Sequence, residues 1–286
     1  MANEKNKVAL SSFVAAIFLT SFKLIVGFST GSLGIISEGV HSFFDLLAAG
    51  MTLIAVRYSD VPADYNHHYG HGKIENFSAL IETLLLLLTC AWIIYEAVHR
   101  LTSGKLEIEV TFWSFFVIIT SMLIDFTRSR ALAKAAKKFN SQALEADALH
   151  FSSDILSSFV VLIGLIAYTF NIRTADSIAS IVVAFVVVVV SYRLGKRAIN
   201  VLLDAAPQGI NEKVKKIIND MKIVHDVHDI KIRNSGPDIF IEMNIHLQGD
   251  TPLQDAHKIA SAIEEEIQSK VKNSTVHIHM EPTNHN

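Results

Sequence analysis

Residues 178–192 read Ile-Ala-Ser-Ile-Val-Val-Ala-Phe-Val-Val-Val-Val-Val-Ser-Tyr, and no charged side chain stands between Asp176 and Arg193. A helix crosses the hydrocarbon core of a bilayer with about 20 predominantly apolar residues. This stretch and its flanks, roughly 175–199, meet that requirement. So do segments at roughly 8–28, 33–56, 77–99, 112–131 and 146–170, of which Ile81 to Val98 is the clearest. The expected fold is an α-helical membrane protein with six transmembrane helices. An even number of spans puts both termini on one side of the membrane.

Working outward, half of the 286 residues are apolar and the mean hydropathy is +0.36. That excess lies almost wholly between residues 8 and 200, whereas 205–286 is rich in Lys, Glu, Asp and His. The expected domains are a six-helix transmembrane domain over 1–204 and a soluble domain over 205–286. With a net charge of -3 and no long basic run, nucleic acid is not an expected partner. Cys90 is the only cysteine, which excludes a disulfide within the chain and a four-cysteine zinc site. Thirteen histidines leave nitrogen and oxygen as the expected metal donors. The first apolar segment lacks a small-residue cleavage site and reads as a retained span rather than a signal peptide.

Positive charge in the loops orients the spans. Lys5, Lys7, Arg57, Lys73, Arg128, Arg130, Lys134, Lys137, Lys138, Arg193, Lys196 and Arg197 fall on one side, against Arg100, Lys105 and Arg173 on the other. The first side is the expected cytoplasmic one. It contains both termini, the 58–76 and 132–145 loops and the whole C-terminal domain. The expected location is a multi-pass protein of a bacterial or archaeal plasma membrane.

Within that domain, Lys213 to Met221 suggests a helix, and Val227, Ile230 and Ile232 a short strand. Ile241, Met243, Ile245 and Leu247 recur at period two, as do Val276, Ile278 and Met280. A helix opened by Pro252 and Gln254 runs between those two strands to about Lys270. The order α-β-β-α-β suits a small ferredoxin- or metallochaperone-like α+β domain with helices on one sheet face.

Spans two and five carry the chemistry. One reads Ser37-Glu38-Gly39-Val40-His41-Ser42-Phe43-Phe44-Asp45, the other Asp147-Ala148-Leu149-His150-Phe151-Ser152-Ser153-Asp154. Both contain His-x-x-x-Asp, and a spacing of four puts each pair on one helix face. Two facing helices then offer two imidazoles and two carboxylates, a full tetrahedral shell for zinc with no position left for a catalytic water. A lone His in a span is most simply a packing residue, but the same spacing in two separate spans points to an ion path. Glu82 in span three reads either as a helix-packing hydrogen bonder or as a proton-pathway group. Glu38 and Asp147 read as solvated groups near span ends, and Lys23 as one that snorkels or pairs with a carboxylate.

Two further clusters lie outside the spans. Val61-Pro62-Ala63-Asp64-Tyr65-Asn66-His67-His68-Tyr69-Gly70-His71-Gly72-Lys73-Ile74-Glu75 holds three His, an Asp and a Glu, with glycines that let the backbone fold around an ion. It reads as a second metal site or as a solvated polar loop. In the C-terminal domain, His277, His279 and Glu281 share one strand face, Asn244 and His246 another, and His228 and His257 come from a strand and a helix. These residues read either as a metal site between sheet and helix or as a polar sheet face open to water.

The motifs resemble those of the cation diffusion facilitators, the zinc-transporter-like efflux proteins, along nearly the whole chain. Val61-Pro62-Ala63-Asp64, Tyr69-Gly70-His71-Gly72-Lys73-Ile74-Glu75 and Asp255-Ala256-His257 are similar to the bacterial branch, which includes zinc and iron exporters. The resemblance implies a homodimer that exchanges cytoplasmic divalent metal for protons. It implies a transport site at His41, Asp45, His150 and Asp154, and a loop site at Asp64, His67 and His71. It also implies a tail site at His228, His257, His279 and Glu281, where His246 substitutes for the His that relatives have at Asn244. Lys73 and Asp204 match a pair that the family uses at its dimer interface. Several bacterial relatives have Asp where His41 stands, and the His/Asp plus His/Asp set resembles the zinc-selective members.

The expected function is therefore a proton-coupled antiporter, with Zn²⁺ as substrate and as regulatory ligand and no prosthetic group. Fe²⁺, Cd²⁺ or Mn²⁺ as main cargo, or a passive channel, are the alternatives. A metalloenzyme is not expected, since His-Glu-x-x-His is absent and four ligands would close the site.

Overall fold

The computed structural model describes residues 2–31, 33–103, 112–169, 175–221 and 226–283. Lys105 and Arg173, used above to orient the spans, lie outside them. The chain divides into two compact units. One comprises Met1–Val61 with Ile74–Ile199, and the other Pro62–Lys73 with Asn200–Asn286.

The first unit is built from six long helices, each of 27 to 31 residues: α1 (Ala2–Thr30), α2 (Leu33–Ser59), α3 (Lys73–Ser103), α4 (Phe112–Phe139), α5 (Gln142–Thr169) and α6 (Ala175–Leu202). At 1.5 Å per residue each is about 40 Å long, more than the roughly 30 Å hydrocarbon core. Among the described residues, Glu4–Thr30, Glu38–Ser59 and Lys73–His99 are both long and apolar enough to cross a membrane.

Apolar side chains cover the outside of this unit, with Ile25, Phe28, Leu88, Trp92 and Phe185 all at least 65 % exposed. That is the surface of a protein solvated by lipid, where apolar groups face outward at no cost. Polar contacts then join the helices internally. The Thr20 hydroxyl of α1 donates to the Ser42 carbonyl of α2 at 2.7 Å, and Ser129 of α4 donates to the Ala148 carbonyl of α5 at 3.0 Å. At Gly39 a Cβ would meet Leu24 Cδ2 at 2.7 Å, so glycine there lets α1 close against the helix that carries His41.

The sequence reading places a loop at 132–145. Instead α4 continues to Phe139 and α5 starts at Gln142. Leu132 to Phe139 contains Ala, Lys and Leu, strong helix formers that carry the helix past the apolar run. Asn140 turns the chain at φ 52°, and the Ser141 hydroxyl accepts from Leu144 N at 3.3 Å, capping α5.

A buried charged knot ties four helices at one end. Lys5 Nζ of α1 lies 2.6 Å from Asp60 Oδ1 beyond α2, and 2.7 Å from Glu75 Oε1 of α3. The Ser59 hydroxyl donates to the same Glu75 oxygen at 2.7 Å, and Ser141 donates to the other. Lys5 is 5 % and Glu75 3 % exposed, so the carboxylate is held by ion pairing and hydrogen bonds with little water.

The second unit contains the C-terminal elements in the expected order: α7 (Ile210–Met221), β1 (Asp226–Ser235), β2 (Asp238–Leu247), α8 (Leu253–Lys270) and β3 (Ser274–Pro282). The sheet order is β1-β2-β3, with β1 antiparallel and β3 parallel to β2. Ile241, Met243, Ile245, Leu247 and Val276 pack against Val214, Ile217 and Ile218 of α7 and Ile263 and Ile267 of α8. The spacing of Val227, Ile230 and Ile232 departs from period two. Asp229 at φ 51° and a register shift between His228 and Lys231 absorb the extra residue, and all three apolar residues reach the core.

Candidate metal centre

The helical spacing places His41 and Asp45 on one face of α2, and His150 and Asp154 on one face of α5. These faces meet. His150 Nε2 is 3.0 Å from Asp45 Oδ1 and 3.6 Å from Asp154 Oδ2. His41 Nε2 is 3.8 Å from Asp45 Oδ1 and 3.9 Å from Asp154 Oδ1. A tetrahedral ion with bonds of about 2.0 Å needs donors about 3.3 Å apart, and these distances bracket that value. Asp45, His150 and Asp154 form a triad with one donor atom each within 4.8 Å of the others. Asp45 and His150 are buried, while the His41 side chain is 42 % exposed and stands at the rim.

Asp45 also lines a small cavity with Ala16, Leu19, Ser42, Asp125 and Arg128. Arg128 lies 3.1 Å from Asp125, donates to Ser12 Oγ at 3.2 Å and sits over the Phe151 ring at 3.5 Å. The sequence reading singled out Arg128 only as a loop charge and passed over Asp125; an Asp-x-x-Arg pair inside an apolar helix was the available signal. Asp147 requires a correction. It is 1 % exposed rather than solvated, because α5 begins a turn earlier than expected and Ser12 of α1 covers the carboxylate, donating at 3.3 Å. Glu38 is half-exposed as expected and pairs with Lys23 at 3.2 Å.

The second cluster lies in the loop of the other unit. Asp64 Oδ1 accepts from His67 N at 2.7 Å and Asn66 N at 2.9 Å, closing an Asx turn. The turn aims His67 Nδ1 at Asp64 Oδ1, 3.1 Å away, and His71 Nε2 lies 3.5 Å from Oδ2. The backbone hydrogen bond from His67 leads in holding the Asp64 carboxyl below the usual carboxylate range. His68 does not join; its Nε2 meets the Tyr65 carbonyl at 3.0 Å.

This loop docks onto the β1–β2 hairpin. A Cβ on Gly72 would lie 2.4 Å from Ser235 O, and Gly236, at φ 60°, takes the left-handed turn opposite it. Arg233 lies over the Tyr69 ring at 3.8 Å, and Tyr69 meets Phe240 edge to face at 5.0 Å. Lys73 Nζ pairs with Asp204 Oδ1 at 2.8 Å within the one chain. Gly72→Ala should therefore loosen the dock by about 1–3 kcal/mol, since backbone atoms cannot move aside as a side chain would. Faster tryptic cleavage after Lys73 is the expected result, and cleavage at the wild-type rate would contradict the close approach.

The hydrogen bond from Lys73 leads in holding the Asp204 carboxyl low. A carboxyl whose folded value lies below its unfolded one adds stability above about pH 4 and loses it only as pH falls through the folded value. The Lys73–Asp204 tie therefore persists through pH 5–8. Cleavage after Lys73 should therefore stay level between pH 8 and pH 5 in metal-free protein, and a rise within that range would contradict the tie.

The third cluster stands on the sheet face opposite α7 and α8. Glu281 Oε2 is 3.2 Å from His246 Nε2 and 3.5 Å from His228 Nε2, and Oε1 is 3.7 Å from His279 Nε2. Asn244 Nδ2 donates to Oε1 at 2.8 Å. Asp226 Oδ2 completes the group, 3.7 Å from His228 Nδ1 and 3.9 Å from His246 Nδ1. The sequence reading missed Asp226, although its period-two spacing from His228 was visible. His257 is exposed on α8, which covers the apolar face, so the expected site between sheet and helix is instead a cluster on the open face without His257. Strand alternation is the reason: polar and apolar side chains point to opposite faces.

All three clusters offer imidazole nitrogen and carboxylate oxygen, the donor set of zinc and its first-row neighbours. The model for the cation efflux transmembrane domain matches residues 9–203, and that for the cation efflux protein cytoplasmic domain matches 206–283. An uncharacterized transporter of Methanocaldococcus jannaschii is 33 % identical over 278 residues, covering 96 % of this chain and 98 % of its own. The cation-efflux pump FieF of Cronobacter sakazakii is 30 % identical over 284 residues, covering 97 % and 92 %. The solved, metal-bound C-terminal domain of the CzcD transporter from Thermotoga maritima is 29 % identical; it covers 27 % of this chain and 92 % of its own, at a TM-score of 0.26.

Proposed function

The chain belongs to the cation efflux family, and from that premise we propose that it exports Zn²⁺ from the cytoplasm in exchange for protons. The reading rests on one observation: His41, Asp45, His150 and Asp154 converge from two helices at the spacing of a tetrahedral ion. Two imidazoles favour zinc over harder cations that prefer all-oxygen shells.

The exchange follows from ligand chemistry. Metal binds imidazole only in its deprotonated form, so coordination displaces protons. In the metal-free arrangement His150 Nε2 faces the Asp45 carboxylate at hydrogen-bond distance, a place for a proton that zinc must expel. Zinc enters from the cytoplasm, α2 and α5 shift against their neighbours, and protons from outside then displace the metal. The protein works as a homodimer in the plasma membrane, with both termini and the tail in the cytoplasm. The loop and tail clusters bind cytoplasmic zinc and regulate the carrier.

The test is zinc uptake into inverted membrane vesicles under an imposed pH gradient, acidic inside. Uptake should follow the gradient and stop when nigericin collapses it. Uptake that persists unchanged without a gradient would indicate a passive channel.

A further inference from the structure

Asp125 and Arg128 of α4 have no part in the proposed exchange. Both are buried, and with Asp45 of α2 they line one small cavity. Arg128 is the one cation among the described residues that lines it. A guanidinium is always charged, so a fixed positive charge stands in the space beside a site for a dication. That is an unfavourable neighbour for a metal unless it holds something else in place. Its contacts show what it holds. Nη1 donates to Asp125 Oδ1 at 3.1 Å, one turn back on the same helix. Nη2 donates to Ser12 Oγ of α1 at 3.2 Å, and the guanidinium carbon lies 3.5 Å from the centre of the Phe151 ring of α5. Side chains of α1 and α5 therefore fix the guanidinium, and the guanidinium fixes Asp125.

Without that tie, Asp125 would be a loose carboxylate in the same cavity as Asp45, free to turn toward an ion bound there. The shell would then hold three carboxylates and two imidazoles. Such a set binds a dication more tightly and suits oxygen-preferring ions such as Mn²⁺ better than two carboxylates do. Transport needs the opposite, an ion held firmly enough to enter and weakly enough to leave. We propose that Arg128 is a positioning residue of the transport site: it holds the Asp125 carboxylate out of the ligand shell, so that the ion meets two carboxylates and is released. This rests on the four-ligand reading above, and it names what keeps the shell at four.

The test is radioactive zinc uptake by the full chain in proteoliposomes, where half-saturation reads the transport site. Arg128→Met keeps an apolar stem and removes the charge. Half-saturating zinc should fall by about tenfold, the low end of what groups just outside a ligand shell contribute. The maximal rate should fall as well, because release slows, and Mn²⁺ should compete at a lower concentration than in wild type. Asp125→Asn added to Arg128→Met should return these values toward wild type, since no extra carboxylate is then free. Half-saturation that is unchanged or higher in Arg128→Met, or a double variant that behaves like Arg128→Met alone, would overturn the proposal and leave Arg128 a staple between helices. Arg128→Lys carries the test alone if Arg128→Met does not fold. An ammonium still pairs with Asp125 but loses the planar stack on Phe151. Its half-saturation should stay within about threefold of wild type, below the usual range for groups outside the shell, and a larger change would overturn the proposal. If the wild type itself takes up no zinc, the transport reading fails, which is a different outcome from an unchanged half-saturation.

Discussion

Asp45→Asn should lower zinc transport by at least about 100-fold, more than outer-shell changes cost a metal site, which is roughly 10–100-fold. Asp45 is 8 % exposed and faces both histidines, at 3.0 Å from His150 and 3.8 Å from His41. The amide keeps the volume but removes one of two carboxylates that balance the dication. It also removes the carboxylate that His150 Nε2 faces at 3.0 Å, which the proposed proton exchange uses. Both halves of the exchange then weaken together. Radioactive zinc uptake at a series of zinc concentrations separates them: loss of binding raises the half-saturating concentration, and loss of proton coupling lowers the maximal rate. Transport within a factor of about three of wild type would remove Asp45 from the ligand set; a first-shell loss cannot be that mild.

Lys5→Ala should destabilise the helical unit by about 3–5 kcal/mol, the usual cost of leaving a buried charge without its partner. Glu75 would remain 3 % exposed with only the hydroxyls of Ser59 and Ser141 for company. The same carboxylate gathers α1, the end of α2, α3 and the cap of α5, so the loss spreads across four helices. Thermal melting in detergent should show it, and Lys5→Ala combined with Glu75→Gln should recover part of it because no charge is then orphaned. A melting point unchanged in Lys5→Ala would mean that water reaches Glu75.

What could be read from sequence was local. The helices, the strands and the two His-x-x-x-Asp pairs depend on spacings of two to four residues, and the structure displays them as expected. Duplication of the motif also made the long-range meeting of α2 and α5 legible, since neither half alone fills a tetrahedron. Other features had no local signature. The Lys5–Glu75 pair is separated by 70 residues, and nothing in either flank marks it. Asp147 looked like a helix-end acid because its burial is imposed by α1 and by an α5 that starts at Ser141's cap. His257 looked like a tail-site residue because composition does not say which sheet face a helix covers. The bulge at Asp229 hid the first strand's alternation, but the three apolar residues it serves still marked the strand. The α4 extension was hidden for the opposite reason, since Ala and Lys beyond the apolar run read as loop charge while favouring helix.

The central claim is that zinc and protons exchange at a site formed by α2 and α5. Its most direct test is metal-driven proton flux in proteoliposomes, with wild type beside Asp154→Ala. Zinc loading should move protons against the zinc flux in the wild type, and the variant should be silent. Zinc that crosses without proton movement, or an Asp154→Ala variant that transports normally, would contradict it.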